Sequence, residues 1–284
     1  MATDMTGRRV FITGCTSGIG KATALQLAAM GADIVVGARD SVSGEKTRRE
    51  IDGAGPGAAD VVVGDLSSTD QVRKVASEVQ DRFDRLDVLV NNAGVDVGKR
   101  LTTEDGLELT FAVNYLAPFL LTTSLRDLLR RSAPSRVLNM VSSGHKGGHI
   151  EFDDLQHERK FSGQRAYNDS KLALVLFTYE LSRRVQGSGV TVNGVDPGFV
   201  RGTNIGTTLP AAYKAIGILL MPFMTTPEKA AGGVAWAASA PELAGVTGAY
   251  LKGRKQVSSS KDSQDPDLAR RLWEASEALV KPHV

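Results

Sequence analysis

The sequence predicts an α/β fold: a single doubly wound domain, with a seven-stranded parallel sheet and helices on both faces. Three observations predict it. Apolar, β-branched runs alternate with helical patterns from one end of the chain to the other. Several of these runs, such as Val61-Val62-Val63 and Val88-Leu89-Val90, are apolar without alternation, as strands covered on both faces are. The first run passes directly into a glycine-rich turn, Thr13-Gly14-Cys15-Thr16-Ser17-Gly18-Ile19-Gly20, which opens a helix.

Taken in order, the first strand is Arg9–Thr13, and the helix after the glycine turn is Gly18–Met30, stopped by Gly31. Strands Asp33–Gly37 and Asp60–Gly64 follow, then helix Ser68–Phe83, strand Leu86–Asn91 and helix Gly106–Arg131. Strand Ser135–Val141, helix Arg165–Gln186 and strand Val190–Val195 come next. Helix Thr226–Ser239 starts with Thr226 as its cap and Pro227 at its first position, a favourable beginning. Thr247–Leu251 is the seventh strand, and a last helix, Asp267–Val280, turns Leu268, Leu272, Trp273 and Leu279 back onto the body. Right-handed crossovers join such strands into one sheet. No linker or repeat interrupts the rhythm, so residues 1–284 are read as one domain, with 6–200 as its cofactor and catalytic core.

Two segments break the alternation. Gly144–Gln164 is polar and irregular, and Gly202–Met224 is apolar. Both follow the C-terminal ends of strands, where open α/β sheets bind ligands. Residues 201–225 are expected to form a substrate lid; the Ile216–Met224 stretch fits that role and equally fits a helix packed in the core. Lys252–Pro266, with Ser258-Ser259-Ser260, reads as a mobile surface loop.

Composition excludes several classes. The chain is 42% hydrophobic and 23% charged, an ordinary globular balance. Its 34 basic and 32 acidic residues leave a net charge of +2, and no Lys/Arg run makes a patch, so no nucleic-acid partner is expected. Cys15 is the single cysteine, which leaves no internal disulfide and no cysteine-based metal site. Met1–Gly7 is polar with no apolar signal segment, and Ile216–Met224 is too short to span a bilayer. A cytoplasmic protein with no integral membrane segment is the expectation.

The glycine turn carries the first chemistry. Gly14 allows a tight turn, Gly18 lets a pyrophosphate approach the backbone, and Gly20 lets helix pack on strand. The helix start then offers free N–H groups and the positive end of its dipole to the anion. The spacing is G-x-x-x-G-x-G rather than G-x-G-x-x-G, and alone it is explained by a strand–helix turn. Asn91-Asn92-Ala93-Gly94 could line an adenine or ribose path, and is equally natural as a structural turn. Asp65-Leu66 ends the third strand, where a carboxylate can accept from an adenine amino group or cap a helix.

Tyr167 and Lys171 are four residues apart and share a helix face. A free phenol has a pKa near ~10, and an adjacent ammonium lowers it. Such a tyrosine can give a proton to a carbonyl oxygen or take one from an alcohol.

Thr13–Gly20, Asn91–Gly94, Asn114, Ser142, Tyr167-Asn168-Asp169-Ser170-Lys171 and Pro197-Gly198 occur in one order over almost the whole chain. Together they resemble the short-chain dehydrogenase/reductase family, whose dinucleotide-binding domain is of the Rossmann type. The resemblance implies that Tyr167 is the catalytic acid/base and that Ser142 hydrogen-bonds the substrate oxygen. It gives Lys171 the work of lowering the tyrosine pKa and binding the nicotinamide ribose, and Asn114 that of holding a proton-relaying water. It implies cofactor contacts from Gly14, Thr16, Ser17, Gly18, Ile19 and Gly20, and from Arg39, Asp65 and Leu66. Further contacts come from Asn92, Ala93 and Gly94, and around the nicotinamide from Tyr167, Lys171, Pro197, Gly198, Val200 and Thr203.

Ser142 and Ser143 are adjacent, and period-2 alternation lets only one face the substrate; an ungapped count from Arg136 selects Ser142. At the end of the second strand Ala38 stands where an acid would clasp both ribose hydroxyls of NAD, and Arg39 can pair with a 2′-phosphate. NADP(H) is therefore expected. NAD(H) stays open because Ser17 replaces the basic residue that many NADP-using relatives carry in the glycine motif.

Longer matches resemble the retinol-dehydrogenase branch: Gly37-Ala38-Arg39-Asp40, Gly148–Leu155 and Ala269–Ser276. That branch implies a lipophilic aldehyde, ketone or alcohol as substrate. Two departures weigh against a specific retinoid, the lack of a membrane anchor and Gly202 before Thr203. His145, His149 and His157 are read as loop histidines rather than a metal site. The alternative to an enzyme is a sensor or scaffold that binds dinucleotide without turnover. The family resemblance also implies a homodimer or homotetramer paired through helices Gly106–Arg131 and Arg165–Gln186.

Overall fold

The structure, a computed structural model, describes residues 3–201 and 224–281. Its strands are β1 (Arg9–Thr13), β2 (Asp33–Ala38), β3 (Ala59–Val63), β4 (Val88–Asn91), β5 (Ser135–Met140), β6 (Val190–Asp196), β7 (Tyr250–Lys252) and β8 (Lys255–Val257). They form one sheet in the order β3-β2-β1-β4-β5-β6-β7-β8. All neighbours pair in parallel except β8, which runs antiparallel to β7. The order reverses between β1 and β4, where Ile12 stands between Val36 and Val90; a doubly wound sheet opens its ligand crevice at such a point.

Seven strands were expected, and eight are found among the described residues. β8 lies inside the 252–266 stretch read as a loop, joined to β7 through Gly253 (φ +62°) and Arg254. A two-residue hairpin needs only a left-handed residue at the turn; its wholly exposed strand offers no apolar pattern. The remainder of that stretch is also tied down, with Ser263 Oγ donating to the Ser260 carbonyl at 2.7 Å.

The helices are α1 (Gly18–Ala29), α2 (Ser41–Asp52), α3 (Thr69–Arg82), α4 (Leu109–Phe111), α5 (Ala117–Ser124), α6 (Arg126–Arg131), α7 (Gly163–Arg184), α8 (Pro227–Ser239) and α9 (Pro266–Leu279). α2 carries the β2–β3 crossover, and periodicity does not reveal it because Ile51 is its only buried large apolar residue. Asp40 starts it by accepting from the Ser43 N–H at 2.9 Å, an N-cap. The expected single helix Gly106–Arg131 is broken. Gly106 is left-handed (φ +77°), Glu108 caps Leu109–Phe111, a π turn spans Ala112–Leu116, and Leu125 separates α5 from α6. Thr226 caps α8 as expected, its Oγ1 accepting from Lys229 N.

Apolar cores fill both sides of the sheet. One holds α3, α5, α7 and α9; the other holds α1 and α8. α9 lies along α7. Trp273 meets Phe119 of α5 edge-on at 4.9 Å and stacks on Phe177 of α7 at 5.8 Å, while the Arg184 guanidinium covers its ring at 4.1 Å. Tyr115 and Ser276 hydroxyls meet at 2.6 Å. Helices α5 and α7, within the segments through which the family resemblance implied subunit pairing, thus pack the chain's own last helix against them. Among the described residues no helix is long and apolar enough to cross a membrane.

Candidate active site

A cavity of about 1010 Å³ runs along the C-terminal ends of β1, β2, β4, β5 and β6. At its floor Gly14 is left-handed (φ +62°), and a Cβ there would fall 2.8 Å from Ala93 Cα. A Cβ on Gly20 would fall 2.3 Å from Asn92 Nδ2. Only glycine fits either place. Asn92 Nδ2 donates to the carbonyls of Thr13 (2.9 Å) and Gly14 (3.0 Å), and Thr13 Oγ1 accepts from the N–H groups of Asn92 and Ala93. The side chain of Asn92 therefore braces the glycine turn.

α1 begins at Ser17 with no side-chain cap and no acid in its first turn, which leaves its N–H groups to an anion. Gly18 (φ +55°) faces open space. Thr16, Ser17, Gly18 and Ile19 all line the cavity. Cys15 is buried, and burial pushes its thiol up to about 12, so it is not a nucleophile. These features fit a dinucleotide pyrophosphate.

At the other end of the groove Arg39 is exposed and lines the cavity beside Ser43. Asp40 is held below the usual carboxylate range by the Ser43 hydroxyl and N–H, with Ser43 Oγ 2.6 Å from Oδ2. Its charge is thus tied into the α2 cap. Asp65 and Leu66 also line the cavity. Asp65 Oδ1 accepts from Ser67 N at 2.9 Å, and the cap of α3 is Ser68 instead.

Tyr167 and Lys171 project from α7 into the cavity wall, with Lys171 Nζ 5.7 Å from the centre of the Tyr167 ring. Lys171 Nζ donates to the Met140 carbonyl at 2.8 Å. Ser142, the first residue past β5 but one, lines the cavity with Tyr167 and opposes the rise that burial imposes on that phenol, and its Oγ accepts from Gly144 N at 3.1 Å. Ser143 lines the cavity as well. Strand alternation ends there because the chain turns into a 3-10 helix at Ser143–Gly147. Of the two serines, Ser142 is the one that acts on the tyrosine.

The expected lowering of the phenol pKa is not what this site shows. Burial pushes Tyr167 up to about 12, with Ser142 opposing and Asp96 and Asp196 adding to the rise. Burial also brings Lys171 down to about 8, partly opposed by Asp196. Desolvation penalises both charged forms, and sequence spacing carries no sign of it.

The lysine shift predicts a stability effect. An unfolded lysine titrates near ~10.4. Below pH 8 the folded state bears the full cost of the buried ammonium; as pH rises toward 10.4, that cost is relieved while the unfolded chain still binds its proton. Wild type should gain about 1.4 kcal/mol per pH unit over that window relative to Lys171→Met. Urea unfolding at pH 8 and pH 10 measures it, and parallel behaviour of the two proteins would rule it out.

Asn114 stands behind the wall. It is fully buried in the π turn, its Oδ1 accepts from Val95 N (2.7 Å), and its Nδ2 donates to the Val95 carbonyl (2.9 Å) and Ser170 Oγ (3.1 Å). π turns are frequent at functional sites. Here the side chain holds the turn that ends at Gly94 rather than facing the cavity, whereas Ala93 and Gly94 line it.

Past β6, Gly198 is left-handed (φ +76°) and its N–H donates to Asp196 Oδ1 at 2.8 Å. Pro197, Gly198, Phe199 and Val200 line the cavity, and Phe199 is 76% exposed. Thr203 and most of the expected lid, 201–225, lie outside the described residues. His157 is buried, 3.5 Å from Asp169, His149 is exposed, and His145 is buried beside Ser142. Sequence reasoning missed Ser43, Asp96, Gln164 and Asn168, which share the wall. Asn168 alone had a signal, lying one residue past the tyrosine.

The sequence model described as short chain dehydrogenase matches residues 8–214. Human retinol dehydrogenase 13 is 43% identical over 282 residues, covering 96% of this chain and 85% of the relative. An uncharacterized protein from Mycobacterium paratuberculosis superposes with a TM-score of 0.80 at 31% identity, over 98% of this chain and 95% of that one. The Pseudomonas aeruginosa RhlG/NADP active-site complex superposes with a TM-score of 0.71 at 27% identity, over 94% of this chain and 98% of that one. A glycine cradle, a Ser142–Tyr167 pair with Lys171 one turn on, and these likenesses agree: the chain is an oxidoreductase that belongs to the short-chain dehydrogenase/reductase family, in its retinol-dehydrogenase-like branch.

Proposed function

We propose that the protein is an NADP(H)-dependent oxidoreductase that interconverts a lipophilic aldehyde or ketone with its alcohol. The observation that carries this reading is that Ser142, Tyr167 and Lys171 line the wall of the same cavity as the glycine cradle. When bound, the dinucleotide supplies or accepts the hydride. Tyr167 donates its hydroxyl proton to the carbonyl oxygen in reduction and takes the alcohol proton in oxidation. Ser142, whose Oγ already accepts from Gly144 N, keeps its own proton to donate to that oxygen. Lys171, down to about 8, returns a proton to the tyrosine near neutral pH. A water route past Asn114 would use its backbone, since its side chain is committed to Val95 and Ser170.

Arg39 at the groove's edge and the absence of an acid at Ala38 support NADP(H). A retinoid-like substrate accords with the name of the human relative and with Leu109, Val113, Phe199 and Met224 on the cavity wall. A cytoplasm rich in NADPH would favour reduction.

The test is NADPH consumption with a panel of lipophilic aldehydes and ketones, retinal included. Turnover supports the reading; tight NADPH binding without turnover of any carbonyl would replace it with a dinucleotide sensor. Arg39→Ala should raise the KM for NADPH by about tenfold to a hundredfold, as loss of a charged hydrogen bond does, and leave that for NADH nearly unchanged. Equal effects on the two cofactors would refute the phosphate contact.

A further inference from the structure

We propose that His145 is a positioning residue that fixes Ser142 and ties it to the segment after β8. The proposal rests on the oxidoreductase reading above. His145 lies in the 3-10 turn Ser143–Gly147, its side chain is 1% exposed, and its ring packs on Tyr250 with centroids 5.1 Å apart.

Both ring nitrogens are used, and their partners fix the tautomer. The N–H of Ser260 donates to Nε2 at 3.0 Å. A nitrogen that accepts carries no proton, so the proton of the neutral ring is on Nδ1. Nδ1 lies 2.6 Å from the Ser142 carbonyl oxygen and donates to it. Burial holds the ring pKa down, helped by Lys146 and opposed by Asp196, in keeping with a neutral ring.

The Ser142 carbonyl therefore receives two hydrogen bonds, one from the His145 ring and one from the His145 backbone N–H at 3.1 Å. With its Oγ held by Gly144 N, Ser142 has little freedom to turn from Tyr167. The far end of the link is anchored too. Ser263 Oγ donates to the Ser260 carbonyl at 2.7 Å, and Tyr179 of α7 donates to Ser259 Oγ at 2.7 Å. The helix that carries the acid/base and the turn that carries the serine are thus braced against each other through the 258–263 segment.

The two halves of the link separate by substitution. An asparagine amide sits at the δ position and can donate to the Ser142 carbonyl but does not reach Ser260. A glutamine amide sits at the ε position and can accept from Ser260 but leaves that carbonyl without its ring donor. His145→Gln should lower kcat for carbonyl reduction about tenfold or more, as small misplacements of catalytic groups do, with the KM for NADPH unchanged; His145→Asn should recover most of that loss. Hydrogen–deuterium exchange should speed up at 142–148 in His145→Gln and at 257–263 in His145→Asn.

Equal kcat losses in both variants, or the same exchange pattern in both, would overturn the proposal and leave His145 as packing. If wild type turns over no carbonyl, the oxidoreductase reading falls, and the exchange patterns alone still decide the link.

Discussion

Tyr167→Phe should bind NADPH as wild type does and lose carbonyl reduction by about 10²–10⁴-fold, the usual yield of a positioned acid/base. The substitution removes one oxygen. The ring stays in a site that is already nine-tenths buried, and Ser142 keeps its bond from Gly144 N, so the fold should not change. NADPH fluorescence titration reads the binding and loss of absorbance at the nicotinamide band reads the turnover. Turnover at the wild-type rate would remove Tyr167 from the chemistry. Loss of binding together with turnover would make it a groove residue instead.

Trp273→Ala should destabilise the protein by about 3–5 kcal/mol, the range for deleting a large buried ring. That lowers the melting temperature on the order of 10 °C for a chain of this size. Four contacts disappear together: the stack on Phe177, the edge contact with Phe119, the platform beneath Arg184 and the hydrogen bond that the indole N–H donates to Glu277 at 2.8 Å. Arg184→Ala alone should cost far less, because the partly exposed guanidinium gives up a surface cation–π contact, worth about 0.5–1 kcal/mol, and a helical ion pair with Glu180, worth about 0.3–0.5 kcal/mol. Denaturant unfolding of both variants checks the pair. A Trp273→Ala cost under about 1 kcal/mol would mean that α9 is held by other contacts.

Much of the fold was legible because its signals are local. Val61-Val62-Val63 and Val88-Leu89-Val90 announce strands buried on both faces, and the glycine turn needs no distant partner to be recognised. Tyr167 and Lys171 were legible for the same reason, since four residues on a helix fix their relation. What was not legible depends on neighbours far along the chain. α2 hides because only Ile51 carries its apolar face. The burial that raises Tyr167 and lowers Lys171 comes from packing of α7 against β5 and the turns around it. His145 looked like one of three loop histidines; Tyr250 and Ser260, 105 and 115 residues away, distinguish it. Asn114 was found by its motif, yet its side chain faces Val95, which no spacing rule foretells.

Asn92 and Thr13 rivet the ends of β1 and β4 across the point where the strand order reverses. The two halves of the sheet consequently share one keel beneath the groove and cannot gape like a hinged book. A dinucleotide must therefore come in over the rim, and a variant that cut those rivets would trade firmness of grip for speed of exchange.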